Sequence, residues 1–255
     1  MKLKKILVSL IFFIAVWEAI GRSNAYPAYL FPPFSRVVSS FMDPEYLYIV
    51  LDNLWLTLVR ATLGFVIGTI TGILLGLFFV GLRLSDYVQP IATIFFVIPS
   101  VAWIPLLILW VGLDSFKLPI TAAFMCSFPP ILYGMINASR TIDQDQVEVA
   151  FTLGASPWEV LRRIVLPVSL LKLFPIIKTE IIMVWKTTIV VEMVALSSGL
   201  GHLLLMYSLV IDVRHVLSTI MVFSLVMIAI IELVDSLEKK VVTNWLGEHG
   251  GKGFA

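Results

Sequence analysis

Six apolar runs alternate with short polar breaks along the 255-residue chain, at about 6–20, 57–80, 87–112, 118–138, 174–196 and 216–234. A helix needs roughly 20 such residues to cross a hydrocarbon core, with some tolerance on either side. The runs are continuous rather than alternating with period two, so they predict helices and not the strands of a barrel. One long polar interruption stands out at 140–167. It carries acids, arginines and glutamines that hydrocarbon cannot solvate, and so it faces water.

Within that interruption the local signals read helix, break, helix. Asp143 or Asp145 caps a first helix through Leu153, because a short carboxylate accepts the orphan amide hydrogens of an opening turn. Gly154 ends it. Ser156, Pro157 and Glu159 start a second helix, with proline at the first helical position, where its missing donor costs nothing. Leu166 and Pro167 then close the unit before the fifth apolar run.

The spacing of Glu148, Ala150 and Gly154, followed by nine residues and then Ile164, Leu166 and Pro167, resembles the cytoplasmic loop signature of binding-protein-dependent ABC importer permeases. Val149 departs from it, standing where the family has alanine. Residues 30–35, Trp185, residues 191–193 and residues 197–201 are similar to stretches of the nitrate, sulfonate and taurine permeases. The resemblance implies a type I ABC importer permease fold, an all-α membrane protein of about six transmembrane helices with a cytoplasmic coupling-helix loop at 140–172. Glu148, Ala150, Gly154, Ala155, Ser156, Pro157 and Trp158 would then dock into a separate ATPase. It also implies a homodimer with a second permease copy, two ABC ATPase subunits and an extracytoplasmic solute-binding protein.

Composition agrees with a membrane-embedded chain. The sequence is 59% hydrophobic and 14% charged, whereas soluble domains carry about a quarter charged residues. A net charge of +1 leaves no basic stripe for a nucleic acid. The single cysteine, Cys126, excludes an internal disulfide. No phosphate-cradling loop occurs, so no cofactor is expected in this chain, and ATP and Mg belong to the partner ATPase. No catalytic residue or metal site is expected either: His202, His215 and His249 lack ligand spacing, and Ser197 and Ser198 lack a paired base. With six spans, eleven of the 18 lysines and arginines lie in segments on the side of the 140–167 loop and four on the other. By the positive-inside rule the loop and both termini are cytoplasmic, in a multi-pass inner-membrane protein.

Individual residues refine this picture. Lys2, Lys4 and Lys5 before the first run resemble a signal peptide, read here as an uncleaved anchor. Residues 1–54 are taken as the first span and outer linker, 55–242 as the permease core and 243–255 as a disordered tail. Gly64, Gly68, Gly72 and Gly76 line one face of the second span as a packing seam, with Arg60 snorkelling near its outer end. Pro90, Pro99 and Pro105 break the third span and free carbonyls for a water-lined path.

Charges in the fifth span mark a pathway, because each costs about 2.5–3.5 kcal/mol at mid-bilayer. Lys178 and Glu180 are placed near the cytoplasmic end and snorkel, whereas Lys186 sits about 18 Å from Phe174. Pro99, Ser100, Lys186, Thr187 and Glu192 form the candidate translocation pathway, with Lys186 pointing to a small anionic solute such as a sulfonate, taurine or nitrate. The rival reading, a secondary transporter coupling protons through Lys186 and Glu192, is weakened because residues six apart lie on nearly opposite helix faces.

Overall fold

The computed structural model describes residues 2–23 and 25–250, with side chains described for 7–23, 25–143 and 145–240. Every regular element among the described residues is helical. In chain order these are α1 (Lys2–Arg22), α2 (Phe34–Val38), α3 (Pro44–Gly81), α4 (Ser85–Val97), α5 (Ile104–Val111), α6 (Lys117–Arg140), α7 (Gln144–Thr152), α8 (Pro157–Val160), α9 (Leu166–Ala195), α10 (Leu200–Leu209) and α11 (Val213–Gly250). Two compact units emerge, Met1–Leu58 with Glu192–Val226, and Val59–Val191 with Met227–Ala255.

By length and composition, α3, α6 and the Val213–Lys240 part of α11 can each cross a membrane. The count rises to five if the pairs Ser85–Val97 with Ser100–Val111, and Pro157–Ala195 with Leu200–Leu209, are each one span. The first of the six expected spans is not among them: the described side chains of α1 cover only residues 7–22, too short a stretch to cross a membrane.

In the larger unit the glycines of α3 meet α6 in matching register. An added methyl group at Gly68 would stand 3.1 Å from the Phe124 carbonyl oxygen, at Gly72 2.9 Å from Ile131 Cγ2 and at Gly76 2.7 Å from Met135 Cβ. Two four-residue repeats therefore interlock, Gly64-Gly68-Gly72-Gly76 against Ala123-Ser127-Ile131-Met135. Small residues let the backbones approach until dispersion contacts replace lipid.

The third run breaks where its prolines dictate. Ile98, forced out of the helical region by the following proline, is extended (φ −71°, ψ 124°), and the two halves meet at 88°. Pro105 lies in the first turn of α5, where no donor is needed. Pro90 stays inside an unbroken α4. Arg60 does not snorkel. It is 1% exposed, with its guanidinium 5.4 Å from the centre of the Phe116 ring.

In the smaller unit Glu18 ties α1 to the start of α2, accepting from the Ser35 amide at 2.9 Å and its hydroxyl at 2.8 Å. Trp17 Nε1 donates to the Pro32 carbonyl at 3.0 Å. The proline-rich linker is thus pinned to α1. Tyr46 donates to, or accepts from, Ser218 Oγ at 2.5 Å, which fixes the start of α3 against α11. At the chain's end, α11 continues to Gly250, through most of the stretch that composition assigns to a disordered tail. Residues 251–255 lie outside the described residues.

Candidate functional site

The interruption at 140–167 folds as two short helices joined by a tight corner. Asp143 caps α7, its carboxylate accepting from the Asp145 amide at 3.0 Å. At the other end the Gly154 amide donates to the Phe151 carbonyl at 2.9 Å, and the Ala155 amide to the Ala150 carbonyl at 3.0 Å. With Gly154 at φ +86° these bonds form a Schellman closure, the left-handed glycine cap that satisfies two otherwise orphaned carbonyls. Ser156 and Glu159 then form a reciprocal capping box, with Pro157 in the first turn of α8. The Ser156 amide, followed by its hydroxyl, holds the Glu159 carboxyl below its ordinary range.

The unit does not end at Leu166 and Pro167 as the sequence reading expects. Residues Leu161–Val165 form one π-helical turn, and α9 continues directly from it. Proline cannot donate to the carbonyl four residues earlier and its ring presses on it, and widening the preceding turn relieves both problems. The chain thus passes from α8 into the long helix α9 without leaving helical conformation.

One face of the helix pair is anchored and the other is bare. Ile142, Val160 and Val165 are buried together, with Val147, Ala150 and Ala155 beside them and Leu77 and Val80 of α3 against them. Leu153 is 83% exposed and Trp158 66%, while Glu148, Val149 and Phe151 are also exposed. A methyl group at Gly154 would meet nothing within 4 Å. Large apolar side chains on a polar, water-facing loop mark a surface built to be covered. Of the seven residues expected to contact an ATPase, Ala150 and Ala155 face largely inward while Glu148, Gly154, Ser156, Pro157 and Trp158 lie on the open side.

The expected pathway residues separate. Ser100 and Thr187 share a hydrogen bond of 2.8 Å, and the Thr187 hydroxyl reaches Cys126 Sγ at 3.5 Å. Pro99 and Ser100 line a cavity of about 420 Å³ with Phe95, Phe96, Glu180 and Met183. Lys186 is exposed and does not line that cavity, because Thr187 and Trp185 beside it take the buried positions on α9. Lys178 also turns away, pairing with Asp235 at 2.6 Å and with Glu238. Glu180, assigned by sequence to the snorkelling end, is 7% exposed and faces the cavity.

Glu192 belongs to the smaller unit and does a different job. Its fully buried carboxylate accepts from Thr57 Oγ1 at 2.8 Å and from the Gly201 amide at 3.1 Å. Thr57 Oγ1 in turn accepts from the Leu200 amide at 2.9 Å, and Asn53 Oδ1 accepts from the Gly199 amide at 2.6 Å. These groups satisfy the orphan donors at the start of α10, where the helix dipole favours a negative charge. Glu192 is therefore an anchor of the 197–201 turn rather than a member of the cavity, and the proton-coupled pairing with Lys186 loses its geometry.

With this architecture in view, comparison with known proteins is decisive. The sequence profile of the binding-protein-dependent transport system inner membrane component family matches residues 68–243. The chain belongs to that family. Among its curated relatives, the putative aliphatic sulfonates transport permease SsuC of Bacillus subtilis is 26% identical over 93% of this chain and 86% of that protein. The riboflavin transport system permease RibX of Chloroflexus aurantiacus is 28% identical, covering 92% and 88%. The taurine transport system permease TauC of Escherichia coli is 23% identical, covering 92% and 87%.

Two solved structures share the fold. A chain of the MetNI methionine ABC transporter in an inward-facing form superposes with TM-score 0.62 at 24% identity, covering 78% of this chain and 99% of that one. A chain of a bacterial ABC transporter that imports the acidic polysaccharide alginate gives TM-score 0.62 at 16% identity, covering 94% and 96%. The fold is thus that of type I ABC importer permeases, and this family member is a membrane transport permease rather than an enzyme.

Proposed function

We propose that this chain is the membrane-spanning permease subunit of an ATP-driven importer, in which α7 and α8 form the coupling element for a separate ATPase. The observation that carries this reading is the capped helix pair itself. Its inner face is packed on α3, its outer face presents Leu153 and Trp158, and its second helix runs unbroken into α9. A docked motor that moves the pair moves the wall of the cavity at Glu180 and Met183, since those residues lie farther along the same helix.

In this reading two copies form a homodimer around a central path. Two ABC ATPase subunits bind ATP and Mg on the cytoplasmic side, and an extracytoplasmic solute-binding protein delivers a small organic solute. In this reading α1 is a sixth span, and both termini and the coupling pair lie on the cytoplasmic side, in keeping with the excess of lysine and arginine in those segments. Alternating access then needs a helix bundle with two discrete packings, biased by nucleotide through the coupling pair.

The test is Gly154→Asp in cells that express the whole transport system. A side chain there meets open space in this chain, so the variant is expected to insert and fold while failing to co-purify with the ATPase. A retained complex with full ATP-driven uptake contradicts the reading.

A further inference from the structure

We propose that the cavity beside Pro99 is a binding site for an organic cation, with Glu180 as its counter-charge. This rests on the transport reading for its purpose but not for its geometry. Glu180 is more than nine-tenths buried, and among the described residues no hydrogen bond or ion pair engages its carboxylate. It lines a space of about 420 Å³, within the size range of small-molecule sites. Among the described residues no lysine, arginine or histidine lines that space.

The nearby cations are committed or turned elsewhere. Lys178 is held by Asp235 and Glu238 on α11, and Lys186 does not line the space. A carboxylate lining a largely apolar space and lacking a cationic neighbour attracts a positive group and repels an anion such as the sulfonates for which one relative is named.

The remaining walls suit a cation carried on a flat or apolar body. Phe95 stacks on Trp103 with ring centres 5.6 Å apart and planes 13° apart, and Phe96 stacks on Tyr133 at 5.3 Å and 10°. These stacks hold the two phenyl rings in fixed poses at the cavity. Aromatic faces attract ammonium groups, and Met183 adds a polarisable thioether. The Ser100 hydroxyl, already paired with Thr187, supplies a polar handle at the kinked end of the space.

The experiment is equilibrium binding of three matched probes, benzylammonium, benzyl alcohol and benzenesulfonate, to the purified full chain in detergent without nucleotide. Benzylammonium is expected to bind about tenfold or more tighter than benzyl alcohol, as a charge-assisted contact requires, with benzenesulfonate weakest. Glu180→Gln should abolish the preference for the cation, and Glu180→Asp should retain part of it.

Equal binding of the three probes by the wild-type chain overturns the site, as does a preference that survives in Glu180→Gln. The wild-type comparison decides even if the glutamine variant does not fold. Because nucleotide is absent, the two proposals fail separately. A chain that couples to an ATPase but shows no cation preference sinks this site alone, and one that binds the cation but never couples sinks the importer reading alone.

Discussion

Two glycine corners in this protein look alike in sequence and are held by opposite means. Gly154 and Gly199 both turn the chain at positive φ, +86° and +105°, between two helices. Around Gly154 each of the capping bonds is made within five residues, and a side chain would project into open space. Around Gly199 the bonds come from Asn53, Thr57 and Glu192, and a side chain would collide with the Glu192 carboxylate. One corner is a self-sufficient lever with a free face. The other is a lock closed by residues from a different part of the chain.

Breaking the lock should cost most. Gly199→Ala forces a left-handed residue and displaces Glu192 together, so a loss of about 3 kcal/mol is expected, read as a lowered melting point in detergent. Glu192→Ala strips the buried Gly201 amide of its acceptor and leaves the Thr57 hydroxyl only the Asn53 carbonyl, and should cost roughly 2–3 kcal/mol in the same assay. Since Gly199→Ala acts through Glu192, the double variant should fall short of the sum of the single losses; strict additivity would deny that the two groups meet.

The lever should respond less in stability and more in partnership. Gly154→Ala carries only the backbone penalty, about 1 kcal/mol, with the ATPase still bound. Ser156→Ala removes a helix cap worth about 1 kcal/mol. Its effect should also depend on pH. The folded Glu159 carboxyl lies below its ordinary value of 4.5, so its contribution is complete above that pH and disappears as pH falls through the lower folded value. The gap between wild type and Ser156→Ala should therefore narrow under acid. A gap that stayed constant from neutral pH to below 4.5 would show that the capping box does not contribute in this way.

The same contrast explains what the sequence made legible. Capping residues act on amides within a turn or two, so Asp143, Gly154, Ser156, Pro157 and Glu159 could be assigned from their spacing alone. The glycine repeat of α3 announced a seam, though nothing local named α6 as its partner. Pro99 foretold a break but not its angle. Glu192 appeared to be a pathway charge because Thr57 lies 135 residues away and no periodicity links the two.

Helix α10 was missed for a related reason: its opening donors are satisfied by Thr57 and Glu192 instead of a local cap. Glu180 was assigned to the surface by its distance along the span, whereas its fate was decided by which face of α9 meets the broken helix. The continuation of α8 into α9 was hidden because Pro167 reads as a terminator, and only a widened turn lets the helix pass it.

The central claim, that the α7–α8 pair is the cytoplasmic lever through which a separate ATPase moves this permease, is tested most directly by cross-linking from Leu153. In a Cys126→Ser background, Leu153→Cys should form a cross-link to the ATPase subunit in the assembled complex and be inaccessible to membrane-impermeant thiol reagents added outside intact cells. Labelling from outside, or the absence of any cross-link in an assembled and transporting complex, would contradict it.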